Sequence, residues 1–123
     1  MNFKNKIAIV SGAASGMGLL FAENWTALGG NIVMCDIDAE TLNEKVTAIN
    51  NKKCGVAVGV VCDVRNYEDI CRARDITVEK FGQIDVLISF AGGTAVRMQK
   101  VDMKQYPEFP DVPIDVYDWG LDV

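Results

Sequence analysis

Hydrophobic positions along this chain alternate between two rhythms. Ile7-Ala8-Ile9-Val10 is a short continuous apolar run, and from about Ser15 the apolar spacing becomes that of a helix, which Gly29-Gly30 stops. Asn31-Ile32-Val33-Met34-Cys35 is a second apolar run, ending at Asp36. Asp38 and Ala39 then open a helix whose inner face carries Leu42, Val46 and Ile49, and the polar Asn50-Asn51-Lys52-Lys53 turn closes it. Gly55-Val56-Ala57-Val58-Gly59-Val60-Val61 reads as a third strand, too continuously apolar for a sheet with a solvent-facing side. Asn66 and Asp69 have the spacing of a capping pair for a helix reaching about Phe81, with Ile70, Ala73, Thr77 and Phe81 inward and Gly82 at its end. Ile84-Asp85-Val86-Leu87-Ile88-Ser89 is the fourth strand.

Strand and helix in strict alternation require right-handed crossovers and a parallel sheet covered on both faces. The expected fold is therefore α/β, a Rossmann-like doubly wound parallel sheet of which these residues supply the first four strands, in the order 3-2-1-4. In such a sheet the ligand crevice opens where the strand order reverses, at the C-terminal ends of the strands. Gly12 to Gly18, Asp36, Asp63-Val64 and Ser89 to Gly93 all fall at that edge.

The first of these segments is Ser11-Gly12-Ala13-Ala14-Ser15-Gly16-Met17-Gly18. A helix beginning near Ser15 points unpaired backbone N–H groups and the positive end of its dipole at whatever lies in front, commonly a dinucleotide pyrophosphate. Gly12 lets the chain turn off the strand, Gly16 removes a side chain where backbone approaches phosphate, and Gly18 allows close packing of the helix on the sheet. Ser15 brings a hydroxyl to the same place. Met17-Gly18 stands where a nucleotide-triphosphate loop needs Lys and Ser or Thr, so that reading fails. Glycines alone also suit an ordinary strand-to-helix turn. Asp36 tips the balance, because a carboxylate roughly twenty residues past such a turn accepts hydrogen bonds from a ribose diol. The same carboxylate repels a 2'-phosphate, and neither Ser15 nor Ile37 offers a compensating cation, so NAD is expected over NADP.

The chain has 123 residues, half of them hydrophobic, enough for one domain spanning 1–123. Its formal charge of -5 and lack of basic clusters argue against nucleic acid or an anionic membrane as partner. No apolar stretch approaches the roughly twenty residues of a membrane span, and the run after Met1-Asn2-Phe3-Lys4-Asn5-Lys6 is too short for a signal-peptide core. The cytoplasm is the expected location. Cys35, Cys54, Cys62 and Cys71 form no Cys-x-x-Cys unit and are expected as reduced thiols behaving as small apolar residues. With no histidine in the chain, every Ser-His or Cys-His catalytic arrangement is excluded within these residues.

Taken together, these positions resemble the N-terminal half of a classical short-chain dehydrogenase/reductase. Ser11 to Gly18 is similar to that family's Thr-Gly-x-x-x-Gly-x-Gly with Ser for Thr, Asp36 to the acidic residue of NAD-preferring members, and Asp63-Val64 to its adenine-contacting pair. Ser89-Phe90-Ala91-Gly92 resembles its Asn-Asn-Ala-Gly, altered at the first two positions. Phe90 cannot supply the hydrogen bonds of the family's second Asn, although its backbone can still line the pocket. The resemblance implies a cofactor site built from Gly12, Ser15, Gly16, Met17, Gly18, Asp36, Ile37, Asp63, Val64, Phe90, Ala91 and Gly92. It also implies hydride transfer between NAD(H) and a small carbonyl or alcohol, and a homo-oligomer at full length.

The family's reaction also needs a Ser, a Tyr-x-x-x-Lys pair on one helical face and a further Asn, none of which is present. The residues four after Tyr67, Tyr106 and Tyr117 are Cys71, Pro110 and Leu121, so no catalytic residue is named and the chain alone is expected to be inactive. Thr94 to Pro113 holds all three prolines and no clear periodicity; Arg97 and Lys100 there are either solvated charges or contacts for an anionic substrate. Asp115 to Val123 resembles the start of the next helix, with Trp119 and Leu121 inward. A fourth strand paired on one side only leaves an unpaired apolar edge, from which marginal stability or association is expected. Two other readings remain: a non-catalytic dinucleotide-binding module, and a methyltransferase, against which Asp63-Val64 with Ala91-Gly92 speaks.

Overall fold

In the computed structural model, which describes residues 1–93 and Asp122, the sequence alternation becomes β1 (Ile7–Ser11), α1 (Gly16–Ala27), β2 (Asn31–Asp36), α2 (Ala39–Asn51), β3 (Ala57–Val61), α3 (Tyr67–Phe81) and β4 (Val86–Ser89). The strands form one parallel sheet in the order β3-β2-β1-β4, the expected doubly wound arrangement. The chain divides into two units, Met1–Ala91 and Gly92–Val123, and the sheet lies wholly within the first. Residues 94–121 and 123, including the Arg97 and Lys100 segment and the expected last helix, lie outside the described residues. Asp122 is helical. Among the described residues no helix is long and apolar enough to cross a membrane.

The strand period of two separates the core into two layers. Ala8 and Val10 of β1 and Ile32 and Met34 of β2 face α1 and α2, where they meet Ala22, Trp25, Leu42 and Ile49. Ile9, Val33 and Cys35 face the other way, toward Ala73 and Ile76 of α3. Because β1 and β2 are buried along nearly their whole length, continuous apolar runs identified them well.

At the sheet edge the pattern is less faithful. β3 begins at Ala57 rather than Gly55, because the Asn50 side chain brackets the Ala57 backbone, accepting from its N–H at 2.8 Å and donating to its carbonyl at 2.9 Å. Gly59 and Val61 are exposed, as an edge strand allows, so the expectation of a fully covered third strand does not hold there. In α3 the buried positions are Ala73 and Thr77 with Ile76 and Phe81 packed beside them, whereas Ile70 is exposed.

The capping of α3 also differs from expectation. The Asn66 side chain accepts from Glu68 N, but the Asp69 carboxylate does not return to Asn66 and instead accepts from Asp63 N at 3.0 Å. Spacing alone cannot decide which of several nearby amides a carboxylate takes.

At the opposite end of the sheet, Asp85 joins the starts of β1 and β4. Its carboxylate accepts from Ile7 N at 2.8 Å, Gln83 Nε2 at 2.9 Å and Lys6 Nζ at 3.3 Å, and these donors, the Ile7 amide foremost, hold its pKa below the usual value. A depressed folded-state pKa gives stability that is present above the unfolded value and lost as pH falls through the folded one. Asp85→Asn is therefore expected to lower the thermal midpoint by a constant amount above about pH 5 and by a shrinking amount below about pH 4. Melting curves between pH 3 and 7 check this; a deficit that does not shrink in acid would show that the charge is not what the clip uses.

Candidate nucleotide-binding site

Register brings the C-terminal ends of the strands level: Ser11 pairs with Cys35 on one side and Ser89 on the other, and Asp36 pairs with Val61. The turn between β1 and α1 sits at the centre of this edge. Gly12 and Gly16 both have positive φ, 67° and 57°, a conformation that L-residues with side chains adopt only at a cost. They differ in surroundings. A Cβ on Gly12 would lie 2.8 Å from Ala91 N and Phe90 C, whereas one on Gly16 would meet nothing within 4 Å. Gly12 thus admits the chain that follows β4, and Gly16 faces open space in front of the helix.

Gly18 is buried, but not against a strand as expected; a Cβ there would fall on the Gly12 carbonyl oxygen, so its bareness lets α1 press on its own turn. Ser15 is the N-cap residue of α1 in extended backbone conformation, yet its side chain accepts no capping bond, and no acid lies in the first turn. The positive end of the α1 dipole is therefore not offset by a side-chain carboxylate of that turn. Met17 is 69 % exposed and Ile37 61 %, two apolar side chains at the mouth of this edge.

Asp36 ties the turn to β2. One carboxylate oxygen accepts from Ala14 N at 2.9 Å, the other from Asp38 N at 3.0 Å, and Ala13 N donates to the Cys35 carbonyl at 3.1 Å. A carboxylate offers about four acceptor directions, so these two bonds leave capacity for a diol. The residue expected to read a ribose is also what holds the glycine turn in place.

Beyond β3, Asp63 is engaged by a residue that motif reading missed. Arg65 Nε donates to Asp63 Oδ1 at 3.0 Å, its terminal nitrogen to Oδ2 at 2.7 Å, and its backbone N–H to Oδ1 at 3.0 Å. This fork holds the Asp63 carboxyl at about 2, well below the usual carboxylate range. A cation two positions after the motif Asp was the available signal. Val64, next to Asp63, is half-buried in the same turn.

On the other flank, Phe90 N donates to the Ser11 carbonyl at 3.2 Å and Ala91 N to Ser11 Oγ at 3.3 Å. The Phe90 ring packs tilted against Phe21, centroids 6.3 Å apart; Phe21 stacks on Trp25 at 5.5 Å, and Trp25 on Phe3 at 4.2 Å. Aromatic pairs of this kind contribute about 0.5–1.5 kcal/mol each beyond area burial. In place of the polar side-chain tether that Phe90 was expected to lack, an aromatic ladder holds the chain. Gly92 opens the second unit of the chain.

The two buried cysteines offer no competing chemistry. Cys35 and Cys62 are buried neighbours whose thiols are pushed up by burial, Cys35 to about 12, so both remain protonated and unreactive at neutral pH.

The sequence model of the short chain dehydrogenase family matches residues 6–113. The chain belongs to that family. It is 41 % identical over 92 residues to trans-4-hydroxycyclohexanecarboxylate dehydrogenase of Sinomonas cyclohexanicum, covering 71 % of this chain and 36 % of that protein. It is 38 % identical over 90 residues to 2-(R)-hydroxypropyl-CoM dehydrogenase of Xanthobacter autotrophicus, covering 73 % of this chain and 36 % of the relative. The crystal structure of NAD+-bound xylitol dehydrogenase superposes with a TM-score of 0.84 at 27 % identity, over 100 % of this chain and 44 % of that one. The chain thus spans somewhat over a third of the length of these curated short-chain dehydrogenases.

Proposed function

We propose that this chain carries an NAD-binding domain, part of an oxidoreductase that moves hydride between a nicotinamide cofactor and a small carbonyl or alcohol. The observation that carries this is the Asp36 carboxylate, bonded to Ala14 N at 2.9 Å and thereby held beside the open face of Gly16. A pyrophosphate fits that face, because the bare Gly16 leaves room for it before the α1 amides, and a ribose diol fits the remaining acceptor capacity of Asp36. Gly12, Ser15, Gly16, Met17 and Gly18 would hold the pyrophosphate, Asp36 and Ile37 the adenosine ribose, Asp63 and Val64 the purine, and Phe90 and Ala91 the far side. The bound cofactor supplies the hydride chemistry. The xylitol dehydrogenase likeness supports NAD as the ligand, and the acidic Asp36 supports it over NADP.

The chain holds no Tyr-x-x-x-Lys, so we read these residues as binding cofactor without turning over substrate. The complete protein is proposed to be a cytoplasmic homo-oligomer. Fluorescence titration of the full chain is expected to give saturable NADH binding and at least about tenfold weaker NADPH binding, the discrimination of one charged hydrogen-bonding group. Equal or tighter NADPH binding would overturn the cofactor preference; binding of neither, the nucleotide reading itself.

A further inference from the structure

Strands in a sheet lie about 5 Å apart, so a ribose held at Asp36 on β2 places its purine over the end of β3, where Asp63 stands. This inference rests on the nucleotide reading above. A carboxylate has about four acceptor directions, two on each oxygen. Among the described residues, Arg65 takes three of those on Asp63: backbone N–H and Nε at Oδ1, and the terminal nitrogen at Oδ2. One direction, on Oδ2, is left.

The turn that carries Asp63 is itself braced. Asp69 accepts from Asp63 N at 3.0 Å and is paired with Arg72 at 2.8 Å, and Arg72 also donates to the Val61 carbonyl at the end of β3. Backbone position comes from Asp69 and Arg72; carboxylate orientation comes from Arg65.

We propose that Arg65 is a positioning residue for purine selection, forking Asp63 so that its one remaining acceptor direction receives a 6-amino group and rejects a 6-oxo group. A 6-oxo purine brings an acceptor to an acceptor, and a freely rotating carboxylate would turn away from it at little cost. The forked one turns only by giving up its Arg65 bonds. Side chains in this pair are 40 % and 34 % exposed, so as an isolated ion pair it adds little to stability, and its effect is expected in selectivity.

The test uses the full chain with NADH and its hypoxanthine analogue, in which a 6-oxo group and an N1–H replace the 6-amino group and the bare N1. Wild type is expected to prefer NADH by about five- to tenfold, the range of one hydrogen bond gained against one acceptor clash. Arg65→Ala is expected to bring the ratio to within about twofold, with Arg65→Lys between, since an ammonium gives one point contact in place of a fork. Equal losses for both dinucleotides in Arg65→Ala would mean a structural role only and overturn the proposal. So would an unchanged ratio, or a larger one. Failure of wild type to bind NADH is the separate result that removes the nucleotide reading and this inference with it.

Discussion

Gly18→Ala is expected to unfold the chain or leave it unable to bind a dinucleotide, despite placing the best helix former inside a helix. In an exposed helix interior the exchange stabilises by roughly 1 kcal/mol. Here the new methyl group would fall on the Gly12 carbonyl oxygen, a backbone atom with no rotamer to yield. Relief requires α1 to move off its own turn, and overpacking of this kind costs typically about 1–3 kcal/mol, more when backbone is the obstacle. Gly16→Ala is the control. Its Cβ meets nothing within 4 Å, so only the positive φ opposes it, at about 1–2 kcal/mol, while the methyl group fills the space assigned to pyrophosphate. Thermal melts and NADH titration of both variants separate the effects: Gly18→Ala loses the fold, Gly16→Ala keeps it and loses affinity. A Gly18→Ala chain that melts higher than wild type would refute the packing account.

Asp36→Ala is expected to raise the NADH dissociation constant about 30- to 100-fold. The charged acceptor contributes in two ways, toward a diol and toward Ala14 N, and hydrogen bonds to charged groups are worth about 1.5–3 kcal/mol each. Removing it leaves the Ala14 amide without its acceptor and loosens the turn even before ligand arrives. Asp36→Asn keeps an oxygen for Ala14 but donates where a diol must donate, so its loss should fall between wild type and alanine. NADPH affinity should rise relative to NADH in both variants, because the repelling charge is gone. Titrations with both cofactors decide; unchanged NADH affinity in Asp36→Ala would remove Asp36 from the site.

What could be read from the sequence divides along physical lines. β1 and β2 followed from continuous apolar runs, because central parallel strands are buried on both faces, and the strand order is the one usual for a doubly wound sheet. The glycine turn was legible because close backbone approach at Gly12 and Gly18 admits no side chain and positive φ at Gly16 favours glycine. The start of β3 was not, since Asn31 and Asn50 hold the Val56 and Ala57 backbone from other elements. Ile70 was misplaced because a helical stripe has two possible centres, and packing on β2 chose the one nearer Ile76. The bond from Ala14 to Asp36 and the Phe21–Phe90 contact are tertiary, joining segments whose local patterns carry no mark of each other. Arg65 lay within reach of inspection, as a cation beside a motif carboxylate.

The aromatic ladder has a bearing on the order of assembly. Phe3, Trp25, Phe21 and Phe90 link the first residues of the chain to the stretch that borders Gly12. Contacts so distant in sequence form late, after intervening loops have closed. The pocket wall at Phe90 therefore waits on the pairing of β4 with β1 and on the packing of Phe21 beneath it. Ligand affinity becomes a gauge of complete folding, reporting from one corner of the sheet on whether the whole has closed.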